Sequence, residues 1–188
     1  MFERYTEDAR RSIFFARYEA HQRGSGYITP LDILLGVCRD ENTRLDRLIG
    51  LRQSWEMFRT RINAKYPPGE SLPKHTDMPL DNESKRVLAY AAEEAEKMND
   101  WWLDSSYLVL GILREGGFTR DLLIENGVTI ELLRERLRTD PEARPAVPDP
   151  LPRNTDYGSV TRLKVLAALL ILAALIAMIV TMLKAVPY

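Results

Sequence analysis

One design is written twice in this chain at a fixed distance. Tyr27-Ile28-Thr29-Pro30-Leu31-Asp32-Ile33-Leu34-Leu35-Gly36 and Trp102-Leu103-Asp104-Ser105-Ser106-Tyr107-Leu108-Val109-Leu110-Gly111 lie 75 residues apart. Each is an aromatic-aliphatic pair, a polar capping residue and an apolar run ending in Gly. Upstream, Ala9, Ile13, Ala16 and Ala20 fall on Ser84, Leu88, Ala91 and Ala95 at the same offset. A four-three-four spacing places each set on one stripe of a helix. The shared offset implies a duplication, so whatever the first half folds into, the second half must fold into again.

The punctuation divides each copy into four helices. Thr6 caps a first helix running to Gln22, with Glu7 and Asp8 favoured in its first turn by the helix dipole. Gly24 and Gly26 break it, and Thr29 caps the second, with Pro30 at the first helical position and Asp32 at the third. A third covers Thr43 to Ile49, ending at Gly50, and a fourth Gln53 to Ile62. Residues 63–78 hold Pro67, Pro68, Gly69 and Pro73 and read as a connection inside the domain. In the second copy Asp81 caps a helix to Met98, Asp104 or Ser105 caps the next to Arg114, and two more cover Thr119 to Glu125 and Ile130 to Leu137. The expected fold is all-α: eight short helices in two pseudo-symmetric four-helix repeats, 1–63 and 79–138, within a domain of residues 1–138, plus one transmembrane helix.

The remainder reads differently. Residues 139–161 contain Pro141, Pro145, Pro148, Pro150 and Pro152 and predict an extended stalk. Within 162–184, Val165 to Met182 with Leu183 carries no charge. As a helix this run would reach about 28 Å, against a hydrocarbon core of about 30 Å. It is apolar on every face, unlike a core helix with one polar side, so residues 163–183 are expected to cross a membrane once. Arg162 and Lys164 precede the span and only Lys184 follows it, which predicts an amino-terminal domain on the cytoplasmic side. The charged start Met1-Phe2-Glu3-Arg4-Tyr5 has no apolar core of a secretory signal. The single Cys38 sits in an apolar run and reads as a buried thiol in a reducing compartment.

Chemistry is sparse. Basic and acidic residues balance at 26 and 27, so no global charge steers the chain to nucleic acid. His21 and His75 lack partners at ligand spacing and read as exposed surface histidines, so no metal site is expected. Glu93, Glu94 and Glu96, with Lys85, Arg86 and Lys97 around them, read as a solvated face. No Gly is followed by Lys, which leaves no phosphate-cradling loop with its lysine. Neither an enzyme nor a cofactor site is predicted.

Met1-Phe2-Glu3-Arg4-Tyr5-Thr6-Glu7-Asp8-Ala9-Arg10-Arg11 and Tyr27-Ile28 through Ile33-Leu34-Leu35-Gly36 resemble the amino-terminal double Clp repeat of Clp C-type AAA+ unfoldases, over about residues 1–138. The resemblance implies an all-helical module that receives substrates and adaptors ahead of an ATPase ring. Some members of that family bind phosphorylated arginine through an acid in a Tyr-Ile-Gly-Thr-Glu-His motif. Leu31 and Ser106 stand at the matching positions here, and neither can pair with a guanidinium. Asp32 is one residue away, a rotation of about 100° on a helix.

Together these readings predict a membrane-tethered protein-recognition module that binds substrates or adaptors of a Clp-type chaperone and protease system, with a Clp ATPase or protease as a further partner. The alternative is a scaffold subunit of a membrane complex unrelated to proteolysis. The expected binding residues are Thr29, Leu31 and Asp32 in one repeat and Trp101, Asp104 and Ser106 in the other. Trp101 stands where the first repeat has Gly26, and its neighbour Trp102 takes the packed aromatic position of Tyr27. An exposed Trp suits a binding anchor.

Overall fold

The alternation of capping residues and apolar stripes produces eight helices among the described residues: α1 (Glu7–Gln22), α2 (Pro30–Arg39), α3 (Arg44–Ile49), α4 (Trp55–Lys65), α5 (Asn82–Lys97), α6 (Ser105–Glu115), α7 (Gly117–Glu125) and α8 (Ile130–Thr139). The computed structural model describes residues 3–40, 43–50, 54–73 and 76–140. The chain divides into two units, 1–145 and 146–188, the second wholly outside the described residues. No helix among the described residues is long and apolar enough to cross a membrane. The run Val165 to Leu183, the proline-rich residues 141–161 and His75 lie outside them.

Expectation and structure differ at a few helix ends. α4 continues three residues past Ile62, because nothing in Asn63-Ala64-Lys65 stops it before Tyr66. α7 starts at Gly117, not Thr119, since Gly116 and Gly117 both adopt left-handed φ and turn the chain directly from α6 into α7.

The duplication is expressed as a pseudo-twofold exchange. Thr6 N–H donates to the Leu103 carbonyl at 2.9 Å and Leu103 N–H to the Arg4 carbonyl at 2.8 Å. At the offset positions, Asp81 N–H donates to Ile28 at 3.1 Å and Ile28 N–H to Pro79 at 2.9 Å. Each repeat thus pairs the strand-like residue before its first helix with the one before the other repeat's second helix, Tyr5 with Leu103 and Ile28 with Leu80. Each half lends backbone hydrogen-bond partners to the other.

Inside, α2 and α6 are the central helices, buried along their length. Their glycines let the first helices approach closely. A Cβ on Gly36 would lie 2.3 Å from the Ser12 carbonyl oxygen, and one on Gly111 would lie 2.2 Å from that of Val87, its offset partner. Phe58 and Ile62 of α4, and Leu133 and Leu137 of α8, close the core at matching positions. Cys38 is buried as expected, and burial pushes its thiol pKa up.

Two surface expectations are corrected. Glu94 is not part of a solvated face: it is 1% exposed, and its carboxylate meets Arg134 at 2.8 Å, Lys97 at 3.0 Å and Arg114 at 3.1 Å. Its offset partner Glu19 is equally buried and meets Arg39, the offset partner of Arg114, at 2.9 Å. Arg39 lies over Phe15 and Arg114 over Tyr90, again at offset positions. An acid inside a helix pair must be matched by a cation, and the duplication kept both. His21 is half-buried, not exposed, and its Nε2 has no hydrogen-bond partner among the described residues.

Candidate functional site

The start of α2 forms the floor of a cleft of about 390 Å³. Pro30 has no N–H to offer, and Thr29 is engaged from within: its N–H and its hydroxyl both donate to the Asp32 carboxylate, at 2.9 and 2.7 Å. Asp32 is fully buried, and Arg23, at the end of α1, stands 3.5 Å from its second oxygen. Burial pushes the Asp32 pKa up to about 6, against the hydrogen bonds from Thr29 and the charge of Arg23. Arg23 also donates to the Asn63 side chain at 2.6 Å and to the Tyr66 carbonyl at 3.2 Å, so one guanidinium ties the ends of α1 and α4 to the floor.

Tyr66 and Phe118 form one wall, edge to face with centroids 5.7 Å apart, and the Lys65 ammonium lies 4.1 Å from the Phe118 ring. Asp81 and Glu83 line the cleft from α5 and its cap. Leu31, half-buried, is the apolar side chain that α2 presents there. The result is an open groove with an aromatic wall, an apolar floor and carboxylates along one side. Such a lining suits a peptide segment better than a small metabolite.

At the equivalent place in the second repeat a cleft of about 410 Å³ is lined by Met98, Asp100, Tyr107 and Arg44, the offset partners of Arg23, Ser25, Asp32 and Thr119, but charged groups of the chain engage the helix start itself. At the start of α6, the Asp8 carboxylate accepts from the Ser105 hydroxyl at 3.0 Å and the Ser105 N–H at 3.3 Å. Asp104 accepts from Ser106 N–H at 2.8 Å and meets Arg44 at 2.9 Å. Arg44 also binds Asp140, the residue that caps α8, and donates to the Leu137 carbonyl at 3.3 Å. Burial raises the Asp104 pKa, and Arg44 opposes it.

Of the six residues singled out in the sequence, Thr29, Leu31 and Asp32 therefore share one cleft, and Trp101, Asp104 and Ser106 are not among its lining residues. Asp32, Asp104 and Ser106 are buried, and the carboxylates of Asp32 and Asp104 serve the helix starts, accepting from Thr29 and from the Ser106 N–H. Trp101 is 44% exposed, under the Arg4 guanidinium at 5.1 Å, with Arg4 Nε donating to its carbonyl at 3.0 Å. Trp102 is half-buried and Tyr27 is exposed, so the position expected to hold a packed aromatic is not a core position in either repeat. Sequence reasoning missed Arg23, Tyr66 and Phe118, which lie far apart along the chain, and Arg44, which looks like any cation in a first turn. Among the described residues no group of three His, Cys, Asp or Glu could hold a metal ion.

Residues 4–126 match the family described as the Clp repeat (R) N-terminal domain. The chain is 30% identical over 127 residues to the chaperone protein ClpC, chloroplastic, of Pisum sativum, a match covering 67% of this chain and 14% of that protein. The chain thus spans only a small fraction of the curated relatives it matches. Among solved structures it is similar to the N-terminal domain of the Caseinolytic protease associated chaperone ClpD from Arabidopsis thaliana, with 25% identity and a TM-score of 0.55 over 74% of this chain and 95% of that one. The Hsp104 N-terminal domain from Candida albicans shares the fold, at 19% identity and a TM-score of 0.57 over 73% and 93% of the two chains.

Proposed function

The chain belongs to the Clp repeat N-terminal domain family, and from that premise we propose that it is a membrane-tethered protein-recognition module for substrates or adaptors of a Clp-type chaperone and protease system. The observation that carries the reading is the open cleft at the start of α2, built from an aromatic wall, Leu31 and the carboxylates of Asp81 and Glu83 along one side. A module that receives extended or unfolded segments needs such a groove, with apolar contacts for affinity and little demand on sequence. Leu31 in place of an acid directs recognition toward apolar and aromatic side chains rather than toward phospho-arginine. Trp101 is the second anchor of this reading, an exposed aromatic on the other repeat. Tethering through residues 163–183 would hold the domain at the cytoplasmic face of a membrane and raise the local concentration of what it binds.

The test uses the full chain. Purified protein presented with an unfolded client and with a Clp ATPase should retain one or both, and Leu31→Arg should abolish retention by placing a charge in the groove. Trp101→Ala should weaken client binding by about 2 kcal/mol without changing helical content by circular dichroism. Retention of only a fixed membrane partner, unaffected by Leu31→Arg, would favour the scaffold reading instead. Tight binding of free phospho-arginine would overturn the apolar chemistry. Resistance of the chain to alkaline extraction from membranes, with the domain shielded from external protease, tests the anchor and its orientation separately.

A further inference from the structure

The aromatic wall of the cleft at α2 stands on a stretch that apolar packing does not hold. Ile62 is the last buried residue of α4, and every residue from Ala64 to Glu70 is exposed. Tyr66, which follows α4 and carries the wall, is 42% exposed. Arg23 grips this stretch at three points. Its guanidinium donates to the Asn63 side chain at 2.6 Å and to the Tyr66 carbonyl at 3.2 Å, and its own carbonyl accepts the Gly69 N–H at 2.9 Å. The remaining guanidinium nitrogen, Nε, faces the Asp32 carboxylate on the floor at 3.5 Å. One side chain, 13% exposed, thus spans floor and wall.

The second repeat makes the same tie with a different residue. Met98 stands at the offset position of Arg23, and its side chain has no donor. There Arg44 of α3 joins the start of α6 to the end of α8, meeting Asp104 at 2.9 Å, the Leu137 carbonyl at 3.3 Å and Asp140. Leu137 is the offset partner of Ile62, but that of Arg44 is Thr119. A contact merely inherited through duplication would have kept its residue. A tie rebuilt from another element marks a requirement, that the end of the fourth helix be fixed against the start of the second. What hangs on the fixed end differs: in the second repeat it is Asp140, and in the first it is the Tyr66 ring, set against Phe118 in the cleft.

We propose that Arg23 is the specificity-determining residue of this cleft: by fixing the gap between Leu31 and the Tyr66–Phe118 wall, it makes the cleft select extended segments with bulky apolar side chains, Phe or Leu, over segments with small ones. The inference rests on the client-binding function proposed for the cleft, and names its substrate class and the residue that sets it. Arg23 is a positioning residue, since its guanidinium is engaged by Asp32, Asn63 and Tyr66. A wall already in place receives a large side chain without the entropic cost of ordering itself. A small side chain leaves the fixed gap unfilled and forfeits contacts on one side. Once released, the wall can follow whatever enters, and the discrimination falls.

The experiment is a fluorescence anisotropy titration of the full chain with a labelled, end-blocked, uncharged peptide bearing Phe at alternate positions, beside the same peptide with Ala for Phe. The wild type should bind the Phe peptide at least about tenfold tighter than the Ala peptide. Arg23→Lys keeps a cation beside Asp32, so the buried carboxyl retains a counter-charge, but a single ammonium cannot span the three acceptors. It should weaken the Phe peptide about tenfold and leave the Ala peptide within about twofold, with helical content unchanged by circular dichroism. In a Tyr66→Ala background the same substitution should change Phe binding by less than about twofold, because the wall through which it acts is gone. Without any peptide, the Tyr66 amide, which donates to the Ile62 carbonyl at 2.8 Å, should exchange its hydrogen faster in Arg23→Lys. Undiminished selectivity in Arg23→Lys, an equal loss for both peptides, or full additivity with Tyr66→Ala would overturn the proposal. If Leu31→Arg still abolished Phe-peptide binding in that case, the function proposed for the cleft would survive; a wild type that bound neither peptide would overturn both.

Discussion

The two repeats share a backbone plan and differ in how their charge is disposed. In the first, Glu19 meets one guanidinium among the described residues, Arg39, and the start of α2 faces a cleft beside Asp32. In the second, Glu94 has three cations, and the start of α6 is occupied by Asp8, Asp104 and Arg44. The lesson is a division of labour: a cleft stands beside each helix start, but Thr29, Pro30 and Leu31 line the one at α2, whereas at α6 charged groups are spent on the helix start itself and Asp104, Ser105 and Ser106 are not among the lining residues. Duplication makes that possible, since one copy can satisfy the packing while the other departs from it.

The most direct test of this contrast is at the buried glutamates. Glu94→Gln should cost about 2 kcal/mol in urea unfolding, because it neutralises the buried carboxylate shared by Arg134, Lys97 and Arg114, and Glu19→Gln about half as much. Equal losses would mean that the extra cations of the second repeat add nothing to its stability. Burial acts to raise the Glu94 pKa, but the hydrogen bonds from Arg134 and Lys97 and their charges outweigh it and hold the carboxyl below its ordinary value. Its stabilisation is therefore present above the usual carboxylate range and is lost as the pH falls through the depressed pKa.

Where the repeats are alike, their responses should be alike. Gly36→Ala and Gly111→Ala each drive a methyl into a backbone carbonyl and should cost about 3 kcal/mol apiece in the same measurement. A large difference between them would show that the two helix pairs are not packed equivalently.

The open helix start carries the opposite pH signature to Glu94. The Asp32 carboxyl, pushed up to about 6, holds its proton in the folded chain at pH values where the unfolded chain has lost it. Its contribution is thus greatest below about pH 4 and falls as the pH rises through 6, by about 3 kcal/mol. Stability of the wild type relative to Asp32→Asn, which does not titrate, should decline across that window; a flat difference would place Asp32 in a wetter setting than the structure gives it. The smallest effect is expected at the closed start, where Asp8→Ala removes the acceptor for Ser105 and should cost about 1 kcal/mol. If Asp8→Ala also created client binding at α6, the occupied and open starts would be two states of one kind of site.

The sequence by itself determined the helices, their caps and the duplication, because these follow from local chemistry: Thr29, Asp81, Asp104 and Thr129 each precede an apolar stripe, and the offset holds through Ala16 and Ala91, Gly36 and Gly111. Membership of the fold was legible for the same reason. Even the buried Glu19 and Glu94 could have been read, since Arg39 and Arg114 follow at the same offset and each glutamate sits on the core stripe of its helix. Only the tertiary structure decided which helix start lines its cleft. That choice depends on Asp8, Arg44 and Asp140 converging on α6, and on Arg23, Tyr66 and Phe118 surrounding α2, residues far apart along the chain. A side chain's burial and partners are set by what the fold brings beside it, and neither spacing nor propensity along the chain encodes that neighbour.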